Sequence, residues 1–176
     1  MLHAFIHVDN QESVAFPPEL GRYIQIGRIK GNFLFVPKST SVQMPDKTSL
    51  PEVISCHQEL FDKAKINSVG TDKGYYSKAN EKYLADKGVN EIGIQRPINI
   101  KTPSIKPLSP DREEELVNRR SGIEPLIGHV KLGGQLGRSR MKSDKGMECS
   151  GYTAVLGFNM RQLIRCKKPP NRRKIA

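Results

Sequence analysis

Residues 66–95 read INSVGTDKGYYSKANEKYLADKGVNEIGIQ, and the order of patterns inside them decides the fold class. Residues 66–71 have strand character and end at Asp72. Residues 77–87 have a helical pattern with Gly88 at the C-cap position, and residues 89–95 alternate again as a strand. Moving upstream, residues 51–65 carry Val53, Ile54, Leu60, Phe61 and Ala64 at helical spacing, with Ser49 and Pro51 as start signals. Before them, YIQIGRI (23–29), the turn Lys30-Gly31-Asn32 and FLFV (33–36) predict a hairpin, preceded by a short strand over 4–8. Hairpin, helix, then alternating strand and helix indicate a mixed α/β sheet flanked by helices.

Downstream the pattern changes. Residues 97–110 hold four prolines and read as a linker or long exposed loop. Residues 111–131 are charged and mostly helical, interrupted by Gly122 and Pro125. LGGQLGRSRMKSDK (132–145) reads as a basic, glycine-rich loop without the spacing of a nucleotide-binding P-loop. A helix is expected over 152–165, its apolar stripe including Val155, Leu156, Phe158, Leu163 and Ile164 assigned to the core. The chain is 176 residues long, which fits one domain over 1–166 with a basic, disordered tail over 167–176.

Charge is unevenly placed. Residues 1–100 carry 12 basic and 11 acidic side chains, residues 101–176 carry 17 and 7. A cationic field confined to one half suits a polyanion, most simply nucleic acid, although a solvated tail has the same composition. The longest uncharged stretch near the C-terminus, 149–160, has 12 residues, too few to cross a bilayer. MLHAFIHVD lacks the basic flank and cleavage site of a secretory signal. Cys56, Cys149 and Cys166 have no C-x-x-C spacing and suggest reduced thiols in the cytoplasm; His3, His7, His57 and His129 are too scattered for a structural metal site.

Two acids merit chemical attention. Asp72 follows a buried strand, and ligand sites in open α/β sheets lie beyond the carboxyl ends of strands; a turn-forming Asp is the plain alternative. Arg120, Glu124 and Lys131 are spaced by four and seven, so a continuous helix would project all three from one face. They would then form either a surface ion pair or a carboxylate between two cations, suited to a metal beside a phosphate backbone.

TDKGYYSKANEKYLADKGV (71–89) resembles the second-Asp block of the insertion-sequence DDE transposases, and Arg120, Glu124 and Lys131 match most of the signature that carries their catalytic Glu. That signature has a Tyr three positions before the Arg, where this chain has Val117. The stretch from Arg119 to residues 151–165, GYTAVLGFNMRQLIR, also looks like the C-terminal end of such enzymes. The resemblance covers roughly residues 17–166 and implies an RNase H-like fold, incomplete at its N-terminus, as the element order also allows. It implies metal-dependent DNA cleavage and strand transfer, with Asp72 and Glu124 holding Mg²⁺ or Mn²⁺. Arg120 and Lys131 would contact DNA, and Arg138, Arg140 and Lys142 are further DNA-contacting candidates from the basic loop. The partners implied are transposon ends and target DNA, with a second copy or an upstream transposase part.

The first acid of the triad is the open position. Asp9 follows the first predicted strand, where an RNase H-like sheet would put it, but the residues after Asp9 resemble what lies well downstream of that acid in the family. The expectation is a first acid upstream of Met1, Asp9 as a loop residue, and a chain that is catalytically incomplete alone. The competing expectation is a non-catalytic basic nucleic-acid-binding protein.

Overall fold

The hairpin closes because its turn contains residues able to take positive φ. Gly31 (φ 79°) and Asn32 (φ 61°) turn the chain between β2 (Tyr23–Arg28) and β3 (Leu34–Thr40), and the Ile29 amide donates to the Phe33 carbonyl at 2.9 Å. The computed structural model of the chain describes residues 2–9 (as backbone), 22–42, 45–61, 64–97, 103–137 and 140–167; Arg138 and residues 168–176 of the expected tail lie outside them, while Lys167, expected as its first residue, is helical. β1 (Leu2–Asp9) pairs antiparallel with β2 and parallel with β4 (Ile66–Thr71), which pairs parallel with β5 (Glu91–Ile94). The sheet order is β3-β2-β1-β4-β5, so the molecule is a mixed α/β structure. β3 continues past the expected end at Val36, through Pro37. It is an edge strand, and the register shifts between Gln25 and Gly27 opposite that proline, so the missing amide falls at a bulge.

α1 (Asp46–Leu60) begins five residues before the expected start and ends five before the expected end. Pro51 is therefore inside the helix. Its absent amide leaves the Lys47 carbonyl without its helical donor, and Asn80 Nδ2 donates to that carbonyl at 2.9 Å from α2 (Lys78–Asp86). The buried face of α1 runs through Leu50, Val53, Ile54 and His57, whereas Leu60 is exposed. The α2 start is capped as expected, Ser77 Oγ accepting from the Asn80 amide at 3.0 Å. Gly88 (φ 78°) ends the segment.

Two cores lie on opposite faces of the sheet. Leu50, Val53 and Ile54 of α1 and Leu84 of α2 pack on Phe35, Val69, Ile92 and Ile94. On the other face, Ile24, Ile26 and Leu34 meet residues of the last two helices, α4 (Glu124–Gly133) and α5 (Asp144–Lys167). Strand alternation explains the division: Ile24 and Ile26 point one way, and Gln25 points the other way to hydrogen-bond Ser49. α3 (Pro110–Ser121) covers β4 and β5 on the second face, where a Cβ on Gly93 would lie 2.8 Å from Leu116 Cδ1.

α5 starts at Asp144, eight residues before the expected helix. Ser143 caps it, Oγ accepting from the Gly146 amide at 3.0 Å. Arg22 holds its first turns through Asp144 and Glu148. Gly151 faces Ile24 so closely that a Cβ would sit 2.6 Å from Ile24 Cδ1; the residue that weakens the helical pattern is the one that lets the helix approach the sheet. Only part of the expected stripe is core. Ala154, Val155 and Phe158 are buried, while Leu156, Leu163 and Ile164 share an exposed face with Tyr152 and Met160. Asn159 bonds both the amide and the carbonyl of Leu34, at 2.9 and 2.7 Å, and so covers the edge of β3. Among the described residues no helix is long and apolar enough to cross a membrane.

His57 is fully buried against Phe35 and Phe61, with ring centroids 5.7 and 4.9 Å away, and neither ring nitrogen has a hydrogen-bond partner among the described residues. Burial lowers its pKa below the usual 6.5. The unfolded chain therefore takes up this proton first, and stability should fall as pH drops below 6.5, by at most about 1.4 kcal/mol per pH unit. In urea titrations from pH 7.5 to 5.5, His57→Leu should flatten that slope relative to wild type.

Candidate functional site

β4 delivers Asp72 to the carboxyl edge of the sheet, and the turn that follows fixes it there. Residues Lys73–Tyr75 form a single 3-10 turn, the Tyr75 amide donating to the Asp72 carbonyl at 3.1 Å. Tyr75 is buried beneath the edge. Its hydroxyl accepts from Gln25 Nε2 at 3.2 Å, the same group that donates to Ser49 Oγ at 3.0 Å. Burial pushes the Tyr75 hydroxyl pKa up, so it stays protonated. The Tyr75 carbonyl accepts from Asn80 Nδ2 at 2.7 Å, the amide that also holds Lys47. One buried asparagine thus joins the α1 start, the turn after Asp72 and the α2 start.

The second half of the site comes from the α3–α4 junction. The continuous helix expected from the Arg120, Glu124 and Lys131 spacing is absent: α3 ends at Ser121 and α4 begins at Glu124. Gly122 follows α3, and Arg28 Nη1 donates to the Arg119 carbonyl at 2.8 Å, placing a cation at the end of the helix. A Cβ on Gly122 would lie 2.6 Å from that nitrogen. Burial, and then the nearby Arg119 charge, lower the Arg28 pKa. Ile123 turns into the second core and is fully buried, and Pro125 occupies the first turn of α4, where no amide is needed.

These elements bring Asp72 and Glu124 to one guanidinium. Arg120 Nη1 donates to Asp72 Oδ1, and Arg120 Nη2 lies 3.5 Å from Glu124 Oε1. The Arg120 side chain is 15% exposed, Asp72 30% and Glu124 57%, so the cluster opens toward solvent on the Glu124 side. Arg120 Nε is buried without a hydrogen-bond partner among the described residues. Arg120 thus lies against both expected acids, 48 positions of chain from Asp72 and one helical step, i,i+4, from Glu124.

The remaining expected site residues are spread out. Asp9 is the last residue of β1, not a loop residue, and pairs with Ile24 at the same sheet edge as Asp72. Lys131 is two turns along α4 from Glu124, about 10 Å by helical rise, and is half-buried beside the loop at Gly137. Arg140 and Lys142 are exposed ahead of α5. Other acids are in structural pairs: Glu81 with Arg96 at 2.5 Å, and Glu91 with Arg112 at 2.7 Å. Among the described residues no three His, Cys, Asp or Glu side chains stand together as a metal site. Asp72 and Glu124, both bordering Arg120, carry hard carboxylate oxygens, the donor type that divalent cations take. The supports that sequence reading missed are Gln25, Arg28 and Asn80, each an ordinary polar residue whose role exists only once distant segments meet. No model of a known protein family matches the chain, and no curated protein matches it.

Asn80→Ala should leave the Lys47 and Tyr75 carbonyls without this donor and destabilise the protein by about 1–3 kcal/mol. The check is a lower urea midpoint at unchanged slope, with amide exchange speeding up at the Lys73–Tyr75 turn.

Proposed function

We propose that this chain is a part of a DDE transposase catalytic domain, built on an RNase H-like sheet and acting on DNA in the cytoplasm. The observation that carries the reading is the meeting of Asp72 and Glu124 on Arg120, from a strand end and a distant helix. Support also comes from the sheet order, three antiparallel strands followed by two parallel ones with helices on both faces. The resemblance of the two sequence blocks points the same way.

In this reading Asp72 and Glu124 hold Mg²⁺ or Mn²⁺. A divalent ion there would stabilise charge on the scissile phosphodiester and activate the attacking oxygen. The protein's own part is positioning: the Lys73–Tyr75 turn fixes one carboxylate, and the α3–α4 junction presents the other from its exposed side. Arg120, Lys131, Arg138, Arg140 and Lys142 contact phosphates of transposon ends and target DNA. The reaction is hydrolytic nicking followed by attack of the freed 3′-hydroxyl on target DNA. Asp9 reaches the same sheet edge, but its neighbourhood does not resemble the family's first-Asp block. We therefore assign metal binding to the pair alone and strand transfer to an assembly in which a second copy or another transposase part completes the triad.

Calorimetric titration of the full chain with Mn²⁺ should show binding that Asp72→Asn and Glu124→Gln each weaken by about tenfold or more, equivalent to 1.4 kcal/mol, and that Asp9→Asn leaves unchanged. Binding indifferent to Asp72 and Glu124 would favour a nucleic-acid-binding protein without catalytic metal. Loss with Asp9→Asn would make Asp9 the first acid.

Duplex DNA affinity should fall steeply with salt, and Arg140→Ala and Lys142→Ala should each reduce the log–log slope by about 0.9. An affinity that ignores salt would remove the DNA reading.

A further inference from the structure

The guanidinium of Arg120 occupies the space between the two carboxylates that a metal would share. We propose that Arg120 is an internal counter-ion at this site, displaced when a divalent cation binds and thereby released toward DNA phosphate. The inference rests on the metal reading of the Asp72–Glu124 pair and adds a regulation of that pair: the ion and the guanidinium exclude one another.

Two observations favour exchange over a permanent structural bridge. The grip is uneven. Arg120 Nη1 is hydrogen-bonded to Asp72, but Nη2 is 3.5 Å from Glu124 and 3.4 Å from Ser121 Oγ, the outer limit of a hydrogen bond. Arg120 Nε is buried with no partner among the described residues, so the inward position costs an amide-like donor its hydration. Moving the side chain outward toward the exposed Glu124 side would restore that hydration.

The backbone need not move for this exchange. Arg28 fastens the Arg119 carbonyl, and Ile123 is locked in the second core on the other side of Arg120. What swings is the long side chain alone, pivoting from a fixed Cα at the helix end. Displacement delivers the guanidinium to the edge where the phosphate backbone would approach, and the planar donor fork suits phosphate oxygens. The site would therefore hold its carboxylates together before metal arrives, and expose its phosphate-binding cation only afterwards.

The test is Mn²⁺ calorimetry on the 176-residue chain with Arg120→Gln and Arg120→Lys. Competition lowers apparent metal affinity by the fraction of time the site is free, so Arg120→Gln should bind about tenfold more tightly if the guanidinium is inward about nine-tenths of the time. Arg120→Lys keeps the charge but cannot bridge two carboxylates with a planar fork, and should also bind more tightly than wild type. Separately, ¹⁵N spectra of the Arg120 guanidinium should show restricted rotation without metal and free rotation with saturating Mg²⁺. Wild-type affinity in Arg120→Lys alongside tighter binding in Arg120→Gln would reduce the effect to charge at a distance and overturn the exchange. Equal affinity in all three proteins, or a guanidinium signal that ignores Mg²⁺, would overturn it too while leaving the metal site intact. Absence of Mn²⁺ binding in every one of them would instead remove the metal reading itself.

Discussion

The contact between Arg120 and Asp72 ties the end of α3 to the end of β4, 48 positions apart in the chain. Asp72 belongs to the strand–turn–helix run that builds one face of the sheet, and Arg120 to the helices that cover the other. A half-buried ion pair of this kind contributes little net stability, because desolvation offsets much of its Coulomb energy. Its value is geometric. A single side chain bonds Asp72 and reaches to 3.5 Å from Glu124, so both carboxylates border one guanidinium at the sheet edge. The rest of the fold makes that meeting possible.

Much of the fold was legible because it rests on local pattern. The alternation in YIQIGRI, the Lys30-Gly31-Asn32 turn and the Ser77 cap each act within a few residues, and each element formed near its expected place. The errors share a different cause. Pro51 reads as a helix start because proline removes a donor, yet α1 runs through it, since Asn80 takes the orphaned carbonyl from another helix. Pro37 reads as a strand end, yet β3 continues because its edge position and a bulge make the missing amide harmless. The last helix is expected only from Tyr152, yet α5 extends upstream through Gly151, which packs against Ile24. In each case a tertiary partner supplied what the local sequence lacked, and no window of sequence contains that partner.

The site divides along the same line. Asp72 could be placed because strand ends in α/β sheets define a functional edge, and Glu124 because its spacing from Arg120 brings the two side chains together on a helix. The spacing argument reached a correct neighbour through an incorrect geometry. Arg120 and Glu124 do approach one another, but across a break between helices, and Lys131 is carried away along the second of them. The Asn80 contacts, the Gln25–Tyr75–Ser49 hydrogen bonds and the Arg28 cap remained invisible, because a polar residue in a strand or helix has no sequence mark that distinguishes a buried bond from a solvated one.

That break follows from the core before it serves any chemistry. α3 must lie over β4 and β5, where Leu116 settles against Gly93, while the apolar face of α4 must reach Ile24 and Ile26 on the far side of β1. One straight helix aligned with the parallel half of the sheet would leave those β2 side chains uncovered, at a cost of about 1.5–3 kcal/mol for each large apolar group exposed. Turning the chain at Gly122 and burying Ile123 resolves this, and the turn falls where the two halves of the sheet meet, above the end of β4. The same packing requirement that covers β2 therefore sets Arg120 and Glu124 on either side of a corner facing Asp72. A substitution that let α3 and α4 fuse would preserve the i, i+4 spacing of Arg120 and Glu124 and still lose the site, because the corner, not the spacing, aims them at the strand.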